Sequence, residues 1–177
     1  MRHAPQTEQI QQRVWSFFKD NFSRYIDYQK IDRRSEIKRY ILWEIGSYAH
    51  DFGYKTYAAK EIGSCVRGEP WIYDLHWGAD SESCPLIRLP LVMEVVCDEW
   101  NPSQDQRIID AFLKLMQSKA DIRLMVFERT DVQEMQEYLC TLIEQFEGTQ
   151  PGDRYWIIGW DTLPLSPTGL KCLDYRA

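Results

Sequence analysis

Two apolar segments, WIYDLHW from Trp71 to Trp77 and LPLVMEVV from Leu89 to Val96, each carry one acid in their middle, Asp74 and Glu94. A carboxylate inside a segment that reads as a buried strand loses its hydration. It persists there only where a cation, a metal or several hydrogen-bond donors offset that loss. Two such acids on consecutive strands call for one account. On one reading they share a metal site; on the other they make separate local contacts, or the strand face that carries them reaches water.

The segments on either side set the frame. Residues 7–28 place Ile10, Val14, Phe17, Phe18, Phe22, Tyr25 and Ile26 at helical spacing, which predicts an amphipathic first helix. After the charged string KIDRRSEIKR, Ser35 is a candidate N-cap for a second helix that ends near Gly53. Its apolar stripe is Ile37, Ile41, Ile45, Tyr48 and Phe52. At about 100° per residue Glu44 falls inside that stripe, so a third acid faces inward.

From Tyr54 the period changes to two, and YKTYAAKEI predicts a strand ending at Gly63, followed by turn chemistry in SCVRGEP. Alternation in WIYDLHW points Ile72, Asp74 and His76 to one face, with His76 at the exposed end of the strand. GADSESCP reads as a loop. LPLVMEVVC is apolar on both faces, as a central strand covered on two sides would be. A third helix carries Ile108, Phe112, Leu115 and Met116, and IRLMVF over 122–127 is a strand. A fourth helix is capped by Thr130 or Asp131 and closed by Gly148, and RYWIIGW is a fifth strand. The tail DTLPLSPTGLKCLDYRA, with its prolines and glycine, reads as a loop lying on the domain.

These elements predict one α/β domain over 1–177, a mixed central sheet flanked by helices. Its core spans 36–128, with an N-terminal helix over 7–28 and a C-terminal α-β extension over 130–161. The longest apolar runs fall far short of the ~20 residues of a membrane span, and MRHAPQTEQ lacks a signal peptide's apolar core, so a cytoplasmic protein is expected. Five cysteines, odd in number and never spaced as CxxC, predict reduced and mostly buried thiols. With 21 basic against 27 acidic side chains, a net charge of −6 speaks against broad nucleic-acid binding by charge alone. No Walker or Rossmann glycine loop and no GxSxG elbow is present.

The order α-β-β-β-α-β, with Asp74 in YDLHW and Glu94 in MEVVC, resembles the PD-(D/E)xK nuclease superfamily over residues 36–128 and implies a restriction-endonuclease-like core. By that resemblance Asp74 and Glu94 are catalytic acids that ligate Mg²⁺ or Mn²⁺, the Val95 carbonyl is a further ligand, and Glu44 matches an acid on the first core helix. Oxygen ligands suit such an ion, which activates water for phosphodiester hydrolysis of DNA or RNA. The family's lysine, two residues after the second acid, is replaced by Val96. Some members carry it on the following helix, where Lys114 is the candidate, with Lys60 and Arg88 as substitutes. The helical wheel, however, turns Lys114 and Asp110 away from the apolar arc, towards an exposed i,i+4 pair. His76 could share the pocket, and Trp77 and Trp100 either stack on bases or pack in the core or at its rim. The alternative to a nuclease is a nuclease-like fold without catalysis that binds a protein or a nucleic acid.

Overall fold

The computed structural model describes residues 4–22, 24, 34–59, 62, 66–68, 72–97, 103–161 and 169–177. In chain order the elements are α1 (Ala4–Ser16), α2 (Arg34–Tyr48), β1 (Lys55–Ala58), β2 (Val66–Gly68), β3 (Leu75–Ser81) and β4 (Cys84–Val96). Then come α3 (Gln104–Met116), β5 (Ala120–Glu128), α4 (Val132–Gln145), β6 (Arg154–Trp160) and β7 (Leu170–Arg176). The strands form one seven-stranded sheet in the order β2-β1-β3-β4-β5-β6-β7. The β1–β3, β3–β4 and β6–β7 pairs are antiparallel, and β1–β2, β4–β5 and β5–β6 are parallel. The fold is therefore α/β, with a mixed sheet flanked by helices.

Each face of the sheet has its own apolar layer. On one side Ile10 and Val14 of α1 and Ile37, Ile41 and Ile45 of α2 cover Leu75, Trp77, Leu91, Met93, Val95, Leu124 and Ile158. After α1 the chain winds as a π-helical turn over Phe17–Phe22. That wider winding brings Phe17 and Phe22 to 5.9 Å between ring centroids, and Phe22 rests against Trp160 at 5.1 Å. On the other side Ile108, Phe112 and Leu115 of α3 and Leu139 and Ile143 of α4 cover Val92, Val96, Met125, Phe127, Tyr155 and Ile157. β4 from Pro90 onward and most of β5 are buried on both faces, which is why their sequences there are apolar without alternation.

Several elements differ from the sequence-based expectation. The first strand stops at Ala58, and Ile62 lies in a 3₁₀ turn rather than at its end. Part of SCVRGEP forms β2, a short edge strand beside β1. β3 starts at Leu75, leaving Ile72 to Asp74 in a bend, and runs to Ser81 where GADSESCP reads as a loop. A tight hairpin pairs Ser81 with Cys84, so most of that supposed loop is strand. The tail likewise contains β7, which pairs residue by residue with β6; its alternating half-buried pattern is that of an edge strand lying on α1 and α4. Helix α2 ends at Tyr48 and tightens into a 3₁₀ turn over Ala49–Phe52, and Gly53 then takes a φ of 76°, the left-handed position expected of a C-terminal glycine. At the start of α4, Asp131 accepts a hydrogen bond from the Glu134 amide, as a cap does, from a φ of 61°.

The seat of α4 on the sheet depends on one absent side chain. A Cβ at Gly159 would lie 2.4 Å from Val132 Cγ1 and 2.9 Å from Phe127 Cζ. Both are buried groups with nowhere to move. Gly159→Ala is therefore expected to lower unfolding stability by about 1–3 kcal/mol in urea titrations. An unchanged midpoint would mean that α4 is not packed on β6 at this position.

Candidate active site

The local build of the site starts where β3 fails to continue. Its ladder with β4 ends at the pair Leu75 with Met93, and the bend before it takes the backbone away from Val95. The Val95 amide is satisfied instead by a side chain, Asp74 Oδ2, at 2.8 Å. That bond fixes the Asp74 carboxylate at the end of β3. Its other oxygen, Oδ1, lies 2.9 Å from Nζ of Lys38 on α2.

Glu94 sits one residue before Val95 on β4, 3% exposed, on the face it shares with Val92 and Val96. From α3, Lys114 donates to Glu94 Oε1 at 2.7 Å and reaches the Ile72 carbonyl at 3.4 Å. Two carboxylates and two ammonium groups therefore meet at one end of β3. Lys38 comes from the helix layer on one face of the sheet and Lys114 from the layer on the other. Burial pushes the Glu94 carboxyl up, the Asp74 charge pushes it further, and the two lysines pull it back, leaving it at about 7.

Lys114 reaches inward to Glu94, against the helical wheel. Asp110 does not pair with it but accepts from Gln106 Nε2 at 2.8 Å. Lys114 lies in the last turn of α3, and its four-carbon stem is long enough to bring the ammonium to Glu94 against the direction of its own Cβ. Lys38 is not among the sequence-based candidates for the replacement lysine, although the sequence holds a signal for it. At about 100° per residue it falls between Ile45 and Ala49, inside the apolar arc of its helix, where a cation needs an anion.

Of the other candidates, Glu44 is half-buried and accepts from the Tyr48 hydroxyl at 2.9 Å. No group of three or more His, Cys, Asp or Glu side chains converges among the described residues, so Glu44 stands apart from the acid pair. Arg88 forms an ion pair with Asp121. His76 is not exposed: it is fully buried, and its ring stacks on Tyr57 at 4.8 Å with 5° between planes. Desolvation lowers its pKa to about 4. Trp77 is a core residue, stacked on Phe52 and Tyr54. Lys60, Trp71 and Trp100 lie outside the described residues. The thiols are less buried than expected: Cys97 is buried and Cys140 half-buried, while Cys84 and Cys172 are exposed.

As donors, the Asp74 and Glu94 carboxylates match the chemistry of a hard divalent cation that keeps several waters and takes one or two protein carboxylates. An ion on Asp74 would compete there with Lys38. Compared with known proteins, the chain matches no family model, no curated sequence and no solved structure. Among the described residues no helix is long and apolar enough to cross a membrane.

The two buried titrating groups act on stability in opposite directions. Glu94 titrates at about 7 folded against 4.5 unfolded, so the folded state holds the extra proton; its contribution is full below pH 4.5 and is lost as pH rises towards 7. His76 titrates at about 4 folded against 6.5 unfolded, so its contribution is full above pH 6.5 and is lost as pH falls towards 4. Each amounts to about 3 kcal/mol, and between pH 4.5 and 6.5 they offset one another. With EDTA present, Glu94→Gln should make stability fall as pH drops from 6.5 to 4.5. His76→Phe should make it fall as pH rises from 4.5 to 7. Parallel pH profiles for the wild type and both variants in urea titrations would sink this account.

Proposed function

We propose that the protein is a divalent-metal-dependent phosphodiesterase of the PD-(D/E)xK type, cutting DNA or RNA through metal-activated water, with Asp74 and Glu94 as metal ligands and Lys114 as the lysine of the motif. The observation that carries this reading is the 2.7 Å contact of Lys114 with Glu94. A helix supplies at the second acid the cation that Val96 cannot. The order of pairing supports it as well. Helix α2 precedes β1, β3 and β4, which pair antiparallel in succession with the short edge strand β2 inserted after β1, and β4 then crosses through α3 to its parallel neighbour β5; apart from that insertion the order is compatible with an α-β-β-β-α-β core.

In hydrolysis a water oxygen bonds to phosphorus, one P–O ester bond breaks, and the departing oxygen ends as a hydroxyl. The bound ion would lower the pKa of that water and neutralise charge growing on the phosphate. Asp74, tied by the Val95 amide, presents its remaining oxygen in a fixed position. Lys114 has a side chain 42% exposed, so its ammonium can hold a water beside Glu94 while remaining in contact with solvent. A net charge of −6 implies that substrate is held at few phosphates, not along a basic track.

One observation favours a second reading, an inactive nuclease-like module that binds a protein or nucleic acid. Each acid already has its own lysine as a counter-charge without any ion. The two readings separate on labelled single- and double-stranded DNA and RNA with Mg²⁺ or Mn²⁺. The phosphodiesterase should cleave, and Asp74→Asn, Glu94→Gln and Lys114→Met should each lose on the order of 10²-fold or more in rate. Cleavage unaffected by all three changes would exclude this site. A wild type that neither binds Mn²⁺ in calorimetry nor cleaves would leave the inactive module.

A further inference from the structure

Resting on the phosphodiesterase reading, we propose that Lys38 is the substrate-phosphate ligand of the site. It holds Asp74 until a divalent ion takes that carboxylate, and then turns its ammonium to a non-bridging oxygen of the scissile phosphate. Lys38 sits among Ile37, Ile41 and Leu42 on the buried side of α2, yet its side chain is 33% exposed because the ammonium emerges at the end of β3. Asp74 does not need it for placement, since the Val95 amide already fixes the carboxylate through Oδ2. The Lys38 charge is also felt at Glu94, so it lies near both acids and not beside Asp74 alone.

The two lysines are therefore unequal. Lys114 bonds the more deeply buried acid, whose side chain is 4% exposed, and is braced a second time by the Ile72 carbonyl. Lys38 bonds the more open acid, 23% exposed, by the one contact at 2.9 Å. A cation entering from solvent would meet the more open Asp74 before Glu94 and compete with Lys38 there. Once displaced, an ammonium on a flexible stem beside two carboxylates and a metal needs a new anion, and a phosphodiester is the anion the reaction brings. Substrate then supplies the counter-charge that Asp74 has given up, so metal and substrate assist each other's binding.

Three measurements on Lys38→Met and Lys38→Arg test this. In calorimetric Mn²⁺ titrations without substrate, Lys38→Met should bind about threefold more tightly than wild type or better, because an internal competitor at a partly exposed pair is gone. In cleavage of a labelled oligonucleotide with Mg²⁺, Lys38→Met should raise KM about 10-fold or more with a smaller change in kcat, and Lys38→Arg should recover most of it. The slope of log(1/KM) against log[salt] should be shallower by about one in Lys38→Met, as for one lost phosphate contact. A residue that merely holds the fold would weaken Mn²⁺ binding and leave the salt slope alone. If the wild type cleaves but Lys38→Met keeps its Mn²⁺ affinity, KM and salt slope, this assignment falls and the phosphodiesterase reading stands. If the wild type neither cleaves nor binds Mn²⁺, both fall.

Discussion

Glu94 is a carboxylate on the central strand of a sheet that is covered on both faces, and nearly everything around it follows from the cost of putting it there. Removal from water penalises its charged form by several kcal/mol unless the surroundings compensate. Asp74, close enough to raise it further, makes the problem worse. The compensation comes from Lys114 by direct contact and from Lys38 at longer range, and it is incomplete, since the group still titrates near neutrality. A pair of acids that only stabilised the fold would be better replaced by apolar residues of similar volume. Under the proposed function, their retention with the lysines would be a cost in stability borne for chemistry.

The place of the site is set by an interruption in the hydrogen-bond ladder. Had β3 begun a few residues earlier, its backbone would have satisfied the Val95 amide and Asp74 would have been one more strand residue. Because the chain bends before Leu75, a side chain takes that role, and the end of β3 becomes the point where the two helix layers come within reach of one another. Tyr73 packs with the layer of α3 and α4, and Leu75 with the layer of α1 and α2. Asp74 stands between them, which is how lysines from opposite faces of a continuous sheet come to share one pair of acids.

The parts of this arrangement that depend on periodicity are legible in the sequence. The strand Arg154–Trp160, the helices α3 and α4 and the two-faced apolar character of β4 can all be read from residue spacing. What depends on partners is not. The segment after Trp77 looks like a loop because Gly78, Ala79, Asp80 and Ser81 are small or polar, but pairing with β1 and β4 overrides that weak local preference. β7 is hidden by the prolines before it and by the half-exposed alternation of an edge strand. His76 reads as polar and terminal, yet the same extension of β3 carries it into the interior and onto the Tyr57 ring. Wheel geometry describes where a Cβ points, and a lysine stem is long enough to disobey it, as Lys114 does.

Lys38 shows the converse, a charge whose Cβ direction was informative and whose meaning came from elsewhere in the chain. A lysine inside an apolar arc demands an anion, and the anion is 36 positions away in sequence, at the one bend where β3 stops. Neither residue alone indicates a site: Lys38 could be a snorkelling helix residue and Asp74 a turn former. Their juxtaposition beside a second, buried acid with its own lysine is what motivates the proposed site, since the Asp74 charge adds to the cost of keeping Glu94 ionised. On the proposed reading, two anions held near one another by two lysines would be a cation site with its counter-ions built in. Of those cations it is Lys38 that pairs with the more exposed acid, Asp74 at 23% against 4% for Glu94, so on the proposed reading an ion would compete with Lys38 first, and that asymmetry would give the site a direction of entry.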